Sequence, residues 1–335
     1  MHPALQGLLT IIVGVGGCVG YFYFSNLFLD KVLFPARGPN AGRNINRANM
    51  IRPWLFLFPA VFVLGLYLAY PVVETLRLSL TERVGGDEYV FVGLDNYNQM
   101  LSEPKFWEAL RNNMLWLIVV PAASTAAGLL VAQLTDRIAW GTAAKSLIFM
   151  PMAISFVGAG VIWKLVYEAR PIDQEQIGVL NALYIYFGGT DPQQWLTIPF
   201  WNNFFLMVVL IWIQTGFAMV ILSAALRGIP EETIEAAIID GAGPFQIFFK
   251  IKMPQIMPTI VVVWTTITLT VLKVFDIVFA MTNGQWETQV MANYMYDKLF
   301  RANDWGVGSA AAMAIMLLVT PILVWNVYNA RKEMR

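Results

Sequence analysis

The sequence predicts an all-α membrane protein: a polytopic bundle of seven transmembrane helices, N-terminus outside and C-terminus inside. Hydrophobic residues make up 58% of it against 13% charged, and the mean hydropathy is +0.59, far from the balance of a soluble domain. A span needs about 20 apolar residues. Runs of that length stand at 5–29, 53–73, 112–134, 143–167, 203–226, 258–281 and 307–329. The alternation over about 10 residues that marks an outer-membrane barrel strand is missing, so helices are how this backbone satisfies its hydrogen bonds.

The first run has no basic segment before Leu5 and is longer than a secretory signal allows, so it reads as a retained helix. Lys31, Arg37, Arg43, Arg47 and Arg52 follow it, which suits an N-out anchor. The polar stretch PARGPNAGRNINRAN then separates an anchor and cytoplasmic linker, 1–52, from a core domain, 53–335. Counting Lys and Arg in alternate loops gives thirteen on the side called inside, including Arg137, Lys145, Arg227, Lys250, Lys252 and Arg335, against seven on the other. The excess sets the orientation. Trp163, Trp195, Trp201, Trp286 and Trp305 fall near outer boundaries and read as interface anchors.

Enzyme chemistry is excluded by supply. The lone histidine is His2 and the lone cysteine is Cys18, so zinc hydrolysis, His-based triads and an intrachain disulfide are all ruled out. Gly141-Thr142-Ala143-Ala144-Lys145-Ser146 lacks the second glycine of a phosphate-binding loop and follows no strand, so it reads as a short cytoplasmic turn.

The most informative stretch is the loop 231–257 between the fifth and sixth runs. Pro230 can open a helix with Glu231, Glu232 and Glu235 in its first turns, where negative charge is favoured. Ile234, Ala237, Ile238 and Gly241 fall on one apolar face opposite an acidic one. Gly241 and Gly243 allow a bend, Pro244 restarts a helix whose Phe245, Phe248, Phe249 and Lys252 share a face, and Pro254 stops it. On pattern alone this is also what an amphipathic hairpin lying on lipid looks like.

Glu235-Ala236-Ala237, then Gly241, Ile251 and Met253-Pro254 resemble the EAA signature of permease subunits of binding-protein-dependent ABC importers, with methionine where leucine is usual. The resemblance implies the fold of an ABC importer type I transmembrane domain. It also implies that Glu235, Ala236, Ala237, Gly241, Ile251 and Pro254 form a cytoplasmic coupling segment docking on a nucleotide-binding subunit. The chain itself would bind no cofactor, ATP and Mg being held by that partner. The implied partners are a second permease subunit, two nucleotide-binding ATPase subunits, an external solute-binding protein and the bilayer of a bacterial cytoplasmic (inner) membrane, with no nucleic acid. Phe91-Val92-Gly93-Leu94-Asp95-Asn96-Tyr97, Phe106-Trp107, Asn112-Asn113, Thr282-Asn283-Gly284 and Gly306-Val307-Gly308-Ser309-Ala310 are similar to stretches of the sugar-uptake permeases, most of all the α-glucoside subgroup. Gln285-Trp286 departs from the Gly-Pro usual after that glycine.

A sugar pathway requires polar and aromatic groups turned inward from some spans. Thr266, Thr270 and Lys273 fall at i, i+4, i+7 on the sixth run, and Gln214 with Phe217 makes a second face on the fifth. A threonine hydroxyl can equally bond back to its own helix. Lys273 and Asp276, at i, i+3, are expected to form a structural ion pair. The alternative function, an ion- or proton-coupled secondary transporter, calls for two related halves and midplane charges; no internal repeat is found, and Asp276 is the one acid inside a span.

Overall fold

The computed structural model describes residues 3–86, 88–136 and 138–333. His2, Arg137 and Arg335 lie outside the described residues. The chain divides into two units, 1–74 and 75–335.

In the first unit α1 (Pro3–Phe28) and α2 (Ala41–Leu64) form a hairpin. The Tyr21 hydroxyl donates to the Leu55 carbonyl at 2.9 Å, Phe22 stacks on Phe56, and Asp30 pairs with Arg52 at 2.6 Å. Helix begins again at Ala41, so the expected polar linker shrinks to the residues before it. Pro35 and the left-handed Gly38 break the chain there, while 41–52 continue into the apolar run. Counted with α3 (Tyr70–Ser79), the helical stretch Ala41–Ser79 is 39 residues long.

The second unit begins with a small antiparallel hairpin, β1 (Thr81–Gly85) against β2 (Glu88–Phe91). It is tied down by Asn96 of α4 (Asp95–Ser102), whose amide donates to the carbonyls of Ser79 and Thr81, both at 3.0 Å. Then come α5 (Pro104–Thr135), α6 (Gly141–Phe149), α7 (Phe156–Val166), α8 (Val179–Tyr186), α9 (Trp201–Arg227), α10 (Glu231–Ile239) and α11 (Pro244–Gln255). The chain finishes with α12 (Met257–Val271), α13 (Asp276–Met281), α14 (Met291–Tyr296) and α15 (Trp305–Glu333).

Among the described residues, five helices are long and apolar enough to cross a membrane, or up to seven if each of two bent pairs counts as one span. One bend, of 107°, separates the 141–153 segment from α7. Pro151 removes a donor there, and Ser155 caps the new helix by accepting from the Gly158 N–H at 3.1 Å. The other, of 70°, separates α11 from α12. The expected single run 258–281 is a correction of a different kind: helix stops at Val271 and resumes at Asp276.

α5 and α9 form the spine. Trp116 and Val120 share one buried apolar cluster with Leu206, Leu210 and Ile213 of α9, Ile267 and Val271 of α12 and Ile277 of α13. A Cβ on Gly128 would lie 2.4 Å from the Ala218 Cβ, so the two backbones approach as small-residue helices do in lipid. Each buried aliphatic side chain here contributes packing, since lipid tails give little hydrophobic drive between helices.

Candidate coupling loop and translocation pathway

The candidate coupling loop is built from caps. α10 ends in a Schellman motif: Ala242 N–H donates to Ala237 O at 2.9 Å and Gly241 N–H to Ile238 O at 3.0 Å. Gly241 sits at the left-handed position, φ +80°, which a side chain adopts only under strain. Its expected bend is therefore a fixed corner. Gln246 accepts from the Gly243 N–H at 3.1 Å and starts α11. Pro254 does not stop that helix; it runs to Gln255.

Ala237, Ile247 and Ile256 are buried and root the loop, whereas Glu235, Ala236, Gly241 and Pro254 are exposed and Ile251 is half-buried. Ile239 is 85% exposed and Phe245 80%. Both stand as clear of the core as Tyr186 and Phe187, at 82% and 81%. Phe245, Phe248 and Phe249 also wall a groove of about 310 Å³ with Leu130 and Leu134 of α5, and Lys252 reaches Gln133 at 3.3 Å.

Three helix ends meet at Asp136, just past α5. Its carboxylate takes Lys145 of α6, Arg227 of α9 at 2.9 Å, and the Ser223 hydroxyl at 3.1 Å. Burial pushes this carboxyl up, but the hydrogen bonds from Lys145 and Arg227 and the Lys145 charge outweigh it and hold the pKa below its ordinary value. The sequence supplied Lys145 and Arg227 only as topological charges.

The pathway residues fare differently. Gln214 is 7% exposed, with no hydrogen-bond partner for its amide among the described residues, and Phe217 is half-buried against the same core. Thr266 bonds back to Val262 O at 2.9 Å and Thr270 to Thr266 O at 3.2 Å. Lys273 leaves the stripe, because it stands in the turn after α12. The expected Lys273–Asp276 ion pair is not among those of the described residues. The break changes the i, i+3 geometry and leaves both residues lining a cavity of about 20 Å³, room for a single water.

At the far end of α9 from the coupling loop, four asparagines grip one loop. Asn112 donates to the carbonyls of Glu287 (2.9 Å) and Gln289 (2.8 Å), Asn113 accepts from Met291 N–H (2.8 Å), Asn202 donates to Trp286 O, and Asn203 to Glu287 O (3.2 Å). The loop they hold is strained: Asn283, Trp286 and Glu287 all have positive φ, of 54°, 53° and 60°. Such residues cost about 1–3 kcal/mol each and persist only where neighbours impose them. The paired asparagines at the starts of two spans were the visible signal, since carboxamides can both give to and take from a bare backbone.

A family model described as "Binding-protein-dependent transport system inner membrane component" matches residues 40–334. The chain belongs to that family. The permease is 60% identical, over 99% of both chains, to "Alpha-glucoside transport system permease protein AglF" of Rhizobium meliloti (strain 1021). It is 46% identical, over 84% of this chain and all of the relative, to "Osmoprotective compounds uptake permease protein GgtC" of Synechocystis. At 30% identity over 87% of this chain and 97% of the relative it matches "Lactose transport system permease protein LacF" of Rhizobium radiobacter. Its fold is that of a subunit in a "bacterial ABC transporter involved in the import of the acidic polysaccharide alginate", with a TM-score of 0.72 at 20% identity, covering 88% of the permease and 99% of that chain. The permease is thus a multi-pass membrane transport subunit of an ABC importer, not an enzyme.

Proposed function

We propose that the chain is the permease subunit of an ATP-driven importer of α-glucosides in a bacterial cytoplasmic membrane, working beside a second permease, two nucleotide-binding ATPases that hold ATP and Mg, and an external solute-binding protein. The observation that carries the substrate class is the 60% identity along the whole chain to an α-glucoside permease. In this reading residues 1–52 anchor the chain and 53–335 carry transport.

Glu235, Ala236, Ala237, Gly241, Ile251 and Pro254 form the grip for the ATPase. Their exposed neighbours Ile239 and Phe245 support it as an apolar face awaiting a partner. Three residues, Gly228 to Pro230, join α9 to α10, and the Schellman cap fixes the corner at Gly241, so a pull on the loop reaches the spine of the bundle with little slack. Moving two conformations from 1:99 to 99:1 requires about 5.5 kcal/mol of differential binding, within reach of ATP-driven closure of a gripped interface. Gln214 and Phe217 are the pathway groups this reading retains, with Lys273 at the mouth of the helix break.

The test is reconstitution with candidate ATPase, second permease and binding protein, measuring entry of labelled maltose, sucrose and trehalose. Uptake is expected only with ATP on the loop side. Glu235→Lys or Gly241→Asp should lower coupled uptake about tenfold, the equivalent of about 1.4 kcal/mol at the interface. Uptake that continues without any ATPase would sink this reading in favour of an ion-coupled transporter.

A further inference from the structure

Between α7, the segment 194–197 and the strained loop lies a cleft of about 400 Å³, toward the lower end of the roughly 300–1,000 Å³ of small-molecule sites. Its walls carry the rings of Tyr167, Trp195 and Trp286 with the polar groups of Lys164, Glu168 and Gln194. Trp195 is fixed edge-on against Tyr184 and Phe205, with centroids at 5.8 and 5.3 Å, and the Tyr167 hydroxyl is occupied by the Phe205 carbonyl at 2.9 Å, so both rings are held still. Trp286 is the one placed by the asparagine grip. Asn202 binds its carbonyl, Asn203 and Asn112 bind the next one, and the left-handed backbone leaves the indole 48% exposed at the cleft. The side chains of Gln194 and Lys164 have no partner among the described residues, and Glu168 meets Arg170 only at 3.5 Å.

We propose that this cleft is a carbohydrate subsite, receiving a pyranose ring of the incoming sugar at the end of the permease opposite the coupling loop, with Trp286 and Trp195 as stacking faces and Glu168 and Gln194 as hydroxyl partners. The chemistry matches in both halves. A pyranose has an apolar C–H face, which rigid indoles receive at little entropic cost, and a rim of hydroxyls, which a carboxylate and an amide bind from opposite hydrogen-bonding roles. A lipid phosphate would call for clustered cations, and here one lysine stands with a carboxylate. Strain held by four side chains also fits a site preformed before its ligand arrives. The inference rests on the sugar-import reading and adds a place where the sugar meets this chain outside the α9–α12 interior.

The experiment uses the assembled transporter in nanodiscs, without its binding protein, and saturation-transfer NMR with methyl α-glucopyranoside as probe. Transfer from aromatic protons to the sugar is expected. Trp286→Ala should raise the half-saturating sugar concentration about tenfold, as loss of a stacking face implies. Gln194→Ala, at an exposed side chain without a partner, guards against a folding artefact and should weaken binding in the same direction. Wild-type binding in both variants overturns the subsite. So does a cleft that takes no sugar while Trp286→Ala weakens docking of the empty binding protein, which would make it a protein contact. Failure of the wild-type assembly to import any glucoside overturns the import reading and the subsite with it, whereas import in Trp286→Ala and Gln194→Ala at wild-type half-saturation overturns the subsite alone.

Discussion

One carboxylate, Asp136, holds the ends of α5, α6 and α9 together through Lys145, Arg227 and Ser223. Isolated surface pairs contribute little, but two cations and a hydroxyl sharing a mostly covered carboxylate make a small network. Asp136→Asn keeps the shape, removes the charge and should destabilise by about 1–2 kcal/mol. On a bundle of this size that lowers the melting temperature by roughly 2–4 °C per kcal/mol, measurable in detergent at pH 7. The folded-state pKa lies below the ordinary value of 3.8, so the stabilisation is full above that value and is lost as pH falls through the folded pKa. The gap between wild type and Asp136→Asn should therefore close in acid; a gap that stays constant down to pH about 2 would mean that the charge is not what stabilises.

At the scale of elements, apolar length alone located α5 and α9, because a span must be long and both run as single helices, α5 straight through Pro121. The expected runs 143–167 and 258–281 were misread for the same cause: hydropathy counts residues and not direction, and the breaks at Ser155 and Val274–Phe275 come without a change of polarity. Lys273 and Asp276 were the hint. A straight helix at 258–281 had to bury both within one turn, whereas the break lets Lys273 reach the surface and puts Asp276 in the first turn of α13, where a carboxylate suits the dipole. The EAA loop was legible because its caps are local, Pro230 and Gly241 acting within a few residues. The asparagine grip showed only as two Asn-Asn pairs without their targets, since its bonds join positions 84 to 178 residues apart. Gly284 tests that element. A Cβ there would lie 2.0 Å from Gln289 Oε1 and 2.7 Å from Asn293 Nδ2, at φ +71°. Gly284→Ala should thus displace the loop and cost about 1–3 kcal/mol. Limited proteolysis of the membrane-embedded protein should cut near 283–289 faster by about tenfold; unchanged cleavage would show that the loop absorbs the methyl.

For the whole molecule the number of crossings sets which side each loop meets, and parity decides it. Thirteen basic residues against seven orient the chain only if both bent pairs cross. In that case Leu5 and Gln194 stand four crossings apart and share the outer side, Ile239 is inside, and Phe300 is outside. If α6 and α7 instead form a re-entrant pair, Leu5 and Gln194 fall on opposite sides. If α11 and α12 do not cross, Phe300 joins Ile239. All four side chains are exposed, Leu5 by 50%, Phe300 by 63% and Ile239 by 85%. With Cys18, the lone native cysteine, replaced by serine, single cysteines at 5, 194, 239 and 300 can be offered a membrane-impermeant maleimide on intact cells. Labelling at 5, 194 and 300, with 239 reached only after permeabilisation, gives seven crossings and a cytoplasmic coupling loop. The position of the loop matters most, because ATP and its hydrolysing partner are found on one side of the membrane: external labelling of Ile239→Cys would remove the handle from the motor, whatever the loop resembles.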